Sequence, residues 1–207
     1  MKLALFGATG RTGGLIMERA LLAGHQVTAL VRDPSKQRYV QSGLRIIQGD
    51  ARQAHAVADT VQGADAVISA LGSGGDTLSL FGRNAMVAME RFEVRRIVSL
   101  VGASIVLPGD LPSISMSMLR LITRTFGGKM LKDGEVHARE LALSNLDYTL
   151  VRPPRLTDRA ASGRIQHDLT LKLGPTSSIS RADLAAFLLE VAAEGRYIRA
   201  APMVAFG

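Results

Sequence analysis

The stretch Lys2-Leu-Ala-Leu-Phe-Gly-Ala-Thr-Gly-Arg-Thr-Gly13 decides how this chain is read. Residues 3–6 form an apolar run, long enough for one buried strand and too short for a helix. Glycines follow at 7, 10 and 13, and then Leu15, Ile16, Ala20, Leu22 and Ala23 recur at helical spacing. The pattern predicts a strand, a Gly-rich turn and a helix. In such a unit one glycine permits the turn, one lets backbone approach a ligand, and one lets helix and strand pack closely. The N–H groups and dipole of the helix start then suit a phosphate. The G-x-x-G-x-x-G spacing differs from the G-x-G-x-x-G of many dehydrogenases, and a tight turn with no ligand would use the same glycines. The position after a strand and before a helix favours the phosphate reading.

The pattern continues outward. Strands are predicted at 26–31, 44–48, 64–71, 96–101 and 147–151. Helical segments fall between them, with Gly24 ending the first and Pro34 opening a short one that runs to about Gly43. The segment 51–61 is helical in composition, and Phe81, Ala85, Ala88, Met89 and Phe92 share one helix face. Regular alternation implies an α/β domain with a doubly wound, parallel, Rossmann-like sheet. The ligand of such a sheet lies beyond the carboxyl ends of its strands. Five post-strand segments therefore point at one cleft: 7–13, Arg32, Asp50-Ala51, 70–75 and 101–104. The second half is less regular. Residues 107–112 read as a loop. Residues 113–126 read as a Met-rich apolar helix ended by Gly127-Gly128, serving as a packing helix or as a flap. A further helix is expected at 130–144, and Ser180 with Asp183 resembles a capping box.

Composition bounds the function classes. The chain has 207 residues, 47% of them hydrophobic and 21% charged, which suits one globular domain over 1–207. No apolar run reaches the ~18 residues that span a bilayer, and the first strand is too short for a signal-peptide core, so no membrane role is expected. The absence of cysteine excludes disulfides and thiolate catalysis and fits a cytoplasmic protein. The net charge of +7 comes with scattered arginines, only Arg95-Arg96 being adjacent. With three Tyr and no Trp to stack bases, anionic small molecules are the expected partners, not nucleic acid.

Arg32 stands where NAD-preferring enzymes place a carboxylate for the ribose hydroxyls, and an Arg there suits the 2′-phosphate of NADP. Arg11 would reach the same phosphate. Asp33, if turned inward, would make NAD(H) possible. Lys36 and Arg38 read as solvated helix charges. Asp50 reads as an adenine-side acceptor, as an N-cap for the helix from Ala51, or as both. No Tyr-x-x-x-Lys pair follows Tyr39, Tyr148 or Tyr197, and Tyr148 reads as core. The histidines at 25, 55, 137 and 167 make no metal pattern, so no metal is expected. His137 reads as a surface residue or as one facing the cleft. Arg155, after the sixth strand and two prolines, is the substrate-side candidate for binding an anion.

Several blocks resemble the atypical short-chain dehydrogenase/reductase family: Gly-Ala-Thr-Gly-Arg-Thr-Gly13, Val31-Arg32-Asp33, Gly49-Asp50, Leu146-Asp-Tyr-Thr-Leu-Val-Arg-Pro-Pro-Arg-Leu-Thr-Asp158 and Ile179-Ser-Arg-Ala-Asp-Leu-Ala185. The branch is similar to biliverdin reductase B/flavin reductase, with NmrA-like NADP sensors as relatives. The resemblance implies that Gly10, Arg11, Thr12 and Gly13 hold the pyrophosphate and Arg32 the 2′-phosphate, with Gly7 and Thr9 as further cofactor-binding candidates in the same turn. It implies Asp50 and Ala51 at the adenine, Leu71, Gly72, Val101 and Gly102 at the nicotinamide ribose, and Pro153, Pro154 and Arg155 at the nicotinamide. The flavin reductase has Thr-Ser where this chain has Val101-Gly102, and His where it has Arg155. The expectation is an NADPH-dependent reductase acting on a flavin, quinone or tetrapyrrole-like acceptor, with residues from about 105 to 207 forming the substrate side. The alternatives are a non-catalytic NADP(H) sensor and, third, an isomerase or epimerase.

Overall fold

The apolar run after Met1 forms β1 (Lys2–Phe6), and its last four side chains are fully buried. The computed structural model describes residues 1–36, 42–72, 74–107 and 114–207, without the side chains of Lys36 and of 114–127. The readings of Arg38 and Tyr39, of the loop at 108–112 and of the apolar face of 113–126 lie outside the described residues. After β1 come α1 (Arg11–Leu22), β2 (Gln26–Val31), a 3₁₀ turn (Pro34–Lys36), β3 (Leu44–Gln48), α2 (Ala54–Val61), β4 (Ala66–Ser69), α3 (Thr77–Arg91), β5 (Arg96–Leu100), α4 (Ile114–Leu143) and β6 (Asp147–Val151). Short strands β7 (Arg155–Thr157), β8 (Ile165–Asp168) and β9 (Ser178–Ser180) precede α5 (Arg181–Glu194) and β10 (Met203–Phe206).

The six long strands pair in parallel in the order β3-β2-β1-β4-β5-β6. This is a single Rossmann-like α/β domain. The order reverses between β1 and β4, so a crevice opens at their carboxyl ends. Apolar side chains fill both faces. One layer joins α1 and α5 to the sheet through Ile16, Phe187 and Leu188. The other joins α2, α3 and α4 through Val57, Phe81, Met89 and Leu141. Tyr148 belongs to this second layer, as the sequence suggests. The β7–β9 pair and the β8–β10 pair, which the sequence did not signal, form the remaining small sheets.

Three expectations on elements need correction. Helix α2 starts at Ala54 with Gln53 as its N-cap, so Asp50 does not cap it. Helix α4 runs unbroken through Gly127-Gly128. An interior glycine costs about 1 kcal/mol of helix propensity without acting as a stop, and the helix beyond is held by tertiary contacts described below. His137 is neither on the surface nor in the cleft: it is fully buried between α3, α4 and β5. The capping box holds, since Ser180 Oγ accepts from the Asp183 N–H at 2.9 Å. The Asp183 carboxylate then accepts from Ser180 Oγ and from Ser162 and Gly163 of the preceding loop. Burial raises the pKa of Asp183, but these hydrogen bonds outweigh it and hold the group below its ordinary value.

Candidate active site

The glycine turn shows why each position lacks a side chain. Gly7 has φ +85, and a Cβ there would lie 2.6 Å from the Ala70 carbonyl oxygen on the neighbouring strand end. A Cβ on Gly13 would lie 2.0 Å from the Gly7 carbonyl oxygen, so Gly13 lets α1 sit against the turn. Gly10 meets only the Gly7 oxygen, at 3.1 Å. It is the N-cap of α1 and brings no capping side chain, which leaves the first-turn N–H groups to a ligand. The turn opens on a cleft of ≈ 600 Å³ lined by Gly7, Thr9, Gly10, Arg32, Asp50, Ala51, Arg52, Leu71 and Gly72, among others.

At the end of that cleft beyond β2 and β3 stand two arginines and one carboxylate. Asp50 accepts from the Arg52 backbone N–H at 2.9 Å, from its Nε at 3.0 Å and from its Nη2 at 2.9 Å. The side-chain bonds from Arg52, then its backbone bond, hold the Asp50 carboxyl at about 2, with the Arg32 charge adding to the effect. Asp50 is therefore charged and engaged by Arg52. Arg52 was not singled out in the sequence; its signal was its place two residues after Asp50 in a post-strand segment. Asp33 turns to Ser35, accepting from its N–H and Oγ. Gly49 has its own reason: a Cβ there would come 2.5 Å from that of Ala56, so the glycine seats α2.

Leu71 and Gly72 also line a second cavity of ≈ 300 Å³. Its other walls are Leu78, Leu100, Val101, Gly102, Ser104 and Ile105, then Met130, Leu131 and Gly134 of α4, and Pro153, Pro154 and Leu156. None of these lining residues is titratable. The two cavities thus bring together most of the residues read from the sequence. Four stand apart. Thr12 and Gly13 are buried in α1. Arg11 is exposed and its Nη1 lies 3.0 Å from Asp158, which also pairs with Arg181 at 2.7 Å. Arg155 is exposed at the start of β7 and lines neither cavity.

One wall of the second cavity is fixed by residues the sequence reading passed over. On α4, Asp133, His137 and Glu140 recur one turn apart and all meet α3. Asp133, buried, accepts from the N–H groups of Leu78 and Ser79 at 2.9 and 3.0 Å, capping α3 from outside. His137 Nε2 bonds Ser99 Oγ at 2.8 Å, and its ring fills the space over Gly82, where a Cβ would be 2.5 Å from Nδ1. Burial pushes the His137 pKa down to about 4, against smaller upward pulls from Asp133, Glu140 and the Leu78 backbone. Glu140 binds Arg83 at 2.7 Å. The i, i+4, i+7 spacing of these polar residues was the signal available in the sequence.

A family model described as NAD(P)H-binding matches residues 7–195. The chain belongs to the NAD(P)H-binding family. Its relatives include the protein YMR090W of Saccharomyces cerevisiae, 28% identical over 211 residues, covering 92% of this chain and 86% of that one. The isoflavone reductase homolog P3 of Arabidopsis thaliana is 36% identical over 81 residues, which are 35% of this chain and only 26% of that relative. Among solved structures, ChuY of Escherichia coli O157:H7, described as an anaerobilin reductase, is 25% identical with a TM-score of 0.83, over 99% of this chain and 96% of that one. The family match and the reductase among the solved structures are in line with the resemblance in the sequence. The site's own geometry fits a nicotinamide dinucleotide. The uncapped start of α1 and the side-chain-free Gly10 suit its pyrophosphate, and the cleft volume lies in the usual range for such ligands. Among the described residues no helix is long and apolar enough to cross a membrane.

Proposed function

We propose that this protein is an NADPH-dependent reductase that passes hydride to a planar conjugated acceptor such as a flavin or a tetrapyrrole. The observation that carries the reading is the joint at Leu71 and Gly72. There a polar cleft with two arginines at its far end meets an apolar cavity. The glycine turn would hold the pyrophosphate, Arg32 and Arg52 the 2′-phosphate, and Ala51 the adenine side. When bound, the nicotinamide would supply a hydride. Residues beyond 105 supply much of the second cavity, which supports the substrate side expected there, and its apolar walls suit a stacked ring.

A second reading is a non-catalytic NADP(H) sensor. It is favoured by one observation, the lack of any titratable side chain among the described residues that line the second cavity. NADPH oxidation measured with riboflavin, FMN, menadione and biliverdin separates the two readings. Steady turnover of one acceptor supports the reductase, and NADPH binding without turnover supports the sensor. For the cofactor, calorimetry is expected to show NADPH binding more tightly than NADH. Losing a phosphate contact costs roughly 1.5–3 kcal/mol, so Arg32→Ala should remove most of that preference and Arg52→Ala part of it. Equal affinity of the native protein for both cofactors would overturn the NADP assignment.

A further inference from the structure

One polar side chain in the second cavity has no structural employment. Ser104 is 8% exposed and lines the cavity after β5. Among the described residues its hydroxyl has no hydrogen-bond partner, whereas the other buried serine of this strand end, Ser99, is bonded to His137. The buried side-chain atoms left without a partner among those residues are those of Ser69, Arg96 and His137 and do not include the Ser104 hydroxyl, which therefore keeps accessible surface in the cavity that Ser104 lines. The neighbouring walls, Val101, Ile105, Leu131 and Pro153, offer it nothing polar from their side chains. Its Oγ faces Gly102, lying 3.6 Å from where a Cβ of that residue would be. Gly102 is itself exposed and lines the cavity, so the hydroxyl sits beside an open wall.

We propose that Ser104 is the hydrogen-bond donor for the acceptor, and that it selects acceptors with a conjugated carbonyl or ring nitrogen at the edge of the plane. This rests on the reading of the second cavity as the acceptor site. In the reduction the acceptor gains a hydride, carrying two electrons, at one ring atom. Negative charge grows on a conjugated oxygen or nitrogen, and a proton from water neutralises it. Ser104 keeps its own proton. It holds the charged atom in a low-dielectric wall, where such a bond is strongest. A hydroxyl serves this role because the bond strengthens as the charge develops, and no change of its protonation state is needed.

The experiment compares the native protein with Ser104→Ala and Ser104→Thr, using riboflavin and biliverdin, both of which carry conjugated carbonyls. Steady-state reduction by NADPH is measured with riboflavin binding, read by fluorescence quenching in the presence of NADP⁺, and with NADPH affinity by calorimetry. Ser104→Ala is expected to lower kcat roughly ten- to hundred-fold on both acceptors, to weaken riboflavin binding, and to leave NADPH affinity and Tm unchanged. Ser104→Thr, which keeps the hydroxyl, is expected to retain most of the activity. An active native protein whose Ser104→Ala variant keeps full kcat and riboflavin affinity would overturn the role of Ser104 while leaving the acceptor site standing. A fall in Tm or in NADPH affinity on Ser104→Ala would overturn it in favour of a structural role. A native protein that binds NADPH but neither binds nor reduces either probe would remove the acceptor site, and this role with it.

Discussion

Gly10 and Gly13 lie three residues apart in one turn and are constrained by different things. A Cβ at Gly13 would sit 2.0 Å from a backbone oxygen that cannot swing away. Gly13→Ala should therefore destabilise the fold by about 3 kcal/mol or more, beyond ordinary overpacking, with nucleotide binding lost as a consequence. At Gly10 the same added atom meets one backbone oxygen at 3.1 Å, and φ is −78, a conformation any residue adopts. Gly10→Val should fold but fail to bind NADPH, because its side chain would stand where the pyrophosphate approaches the helix start. Thermal melts with NADPH titrations check the pair. A well-folded Gly10→Val variant with native affinity would mean that the cofactor does not use this turn. Sequence spacing identified the turn and its three tasks but not how tightly each position is held, because it does not show which backbone oxygen each absent Cβ would strike. It also left Arg155 facing the ligand, since two prolines fix the chain's path. Strand alternation instead leaves Arg155 outside the wall formed by Pro154 and Leu156.

At the scale of elements, α4 shows where sequence and structure part. Its hydrophobic periodicity is weak, and Gly127-Gly128 looked like an end. Beside the apolar packing of Leu131, Ala138 and Leu141, the helix is held by polar, non-local contacts from Asp133, His137 and Glu140 to α3 and β5. The short strands β7 to β10 were missed for a related reason. With three or four residues each, they are too short for a period to show, and their partners lie far along the chain. The five central-sheet strands after β1 were legible because apolar runs between turn signals define them locally. Burial of His137 has a measurable consequence. The folded side chain holds its proton only below about 4, while in the unfolded chain it titrates near 6.5. Between those values the unfolded state binds the extra proton, so stability falls as pH drops from about 6.5 to about 4 and levels off below that. The expected loss is on the order of 3 kcal/mol. Urea denaturation across this range should show it, and His137→Asn should flatten the slope. An identical pH slope in the variant would place the titration elsewhere, for instance at His25, whose pKa is also lowered, by burial and then by the N-terminal charge.

At the scale of the whole molecule, the basic character separates into charges that build the fold and charges left to act at a distance. The adjacent pair Arg95-Arg96, the local feature closest to a nucleic-acid signal, belongs to the first kind. Buried Arg96 donates to the carbonyls of Asp147, Val191 and Arg196, tying β6 to the end of α5. Arg95 meets Asp147 and the Asn145 carbonyl. Arg83 is held by Glu140, and Arg11 and Arg181 share Asp158. What remains is a net charge of +7 over a chain whose cleft carries Arg32 and Arg52 against the single carboxylate of Asp50. Such a field raises the encounter rate of an anion and is screened as the Debye length shrinks from about 10 Å at 0.1 M salt to about 3 Å at 1 M. The association rate constant of NADPH, followed by stopped-flow fluorescence, should therefore fall several-fold between low and high salt. That of NADH, which lacks the 2′-phosphate, should fall less. The dissociation rates should change little, because the contacts formed at the glycine turn are short-ranged. A salt-independent association rate would mean that the surplus charge serves another face of the molecule, and an equal decline for both cofactors would mean that Arg32 and Arg52 do not meet the 2′-phosphate.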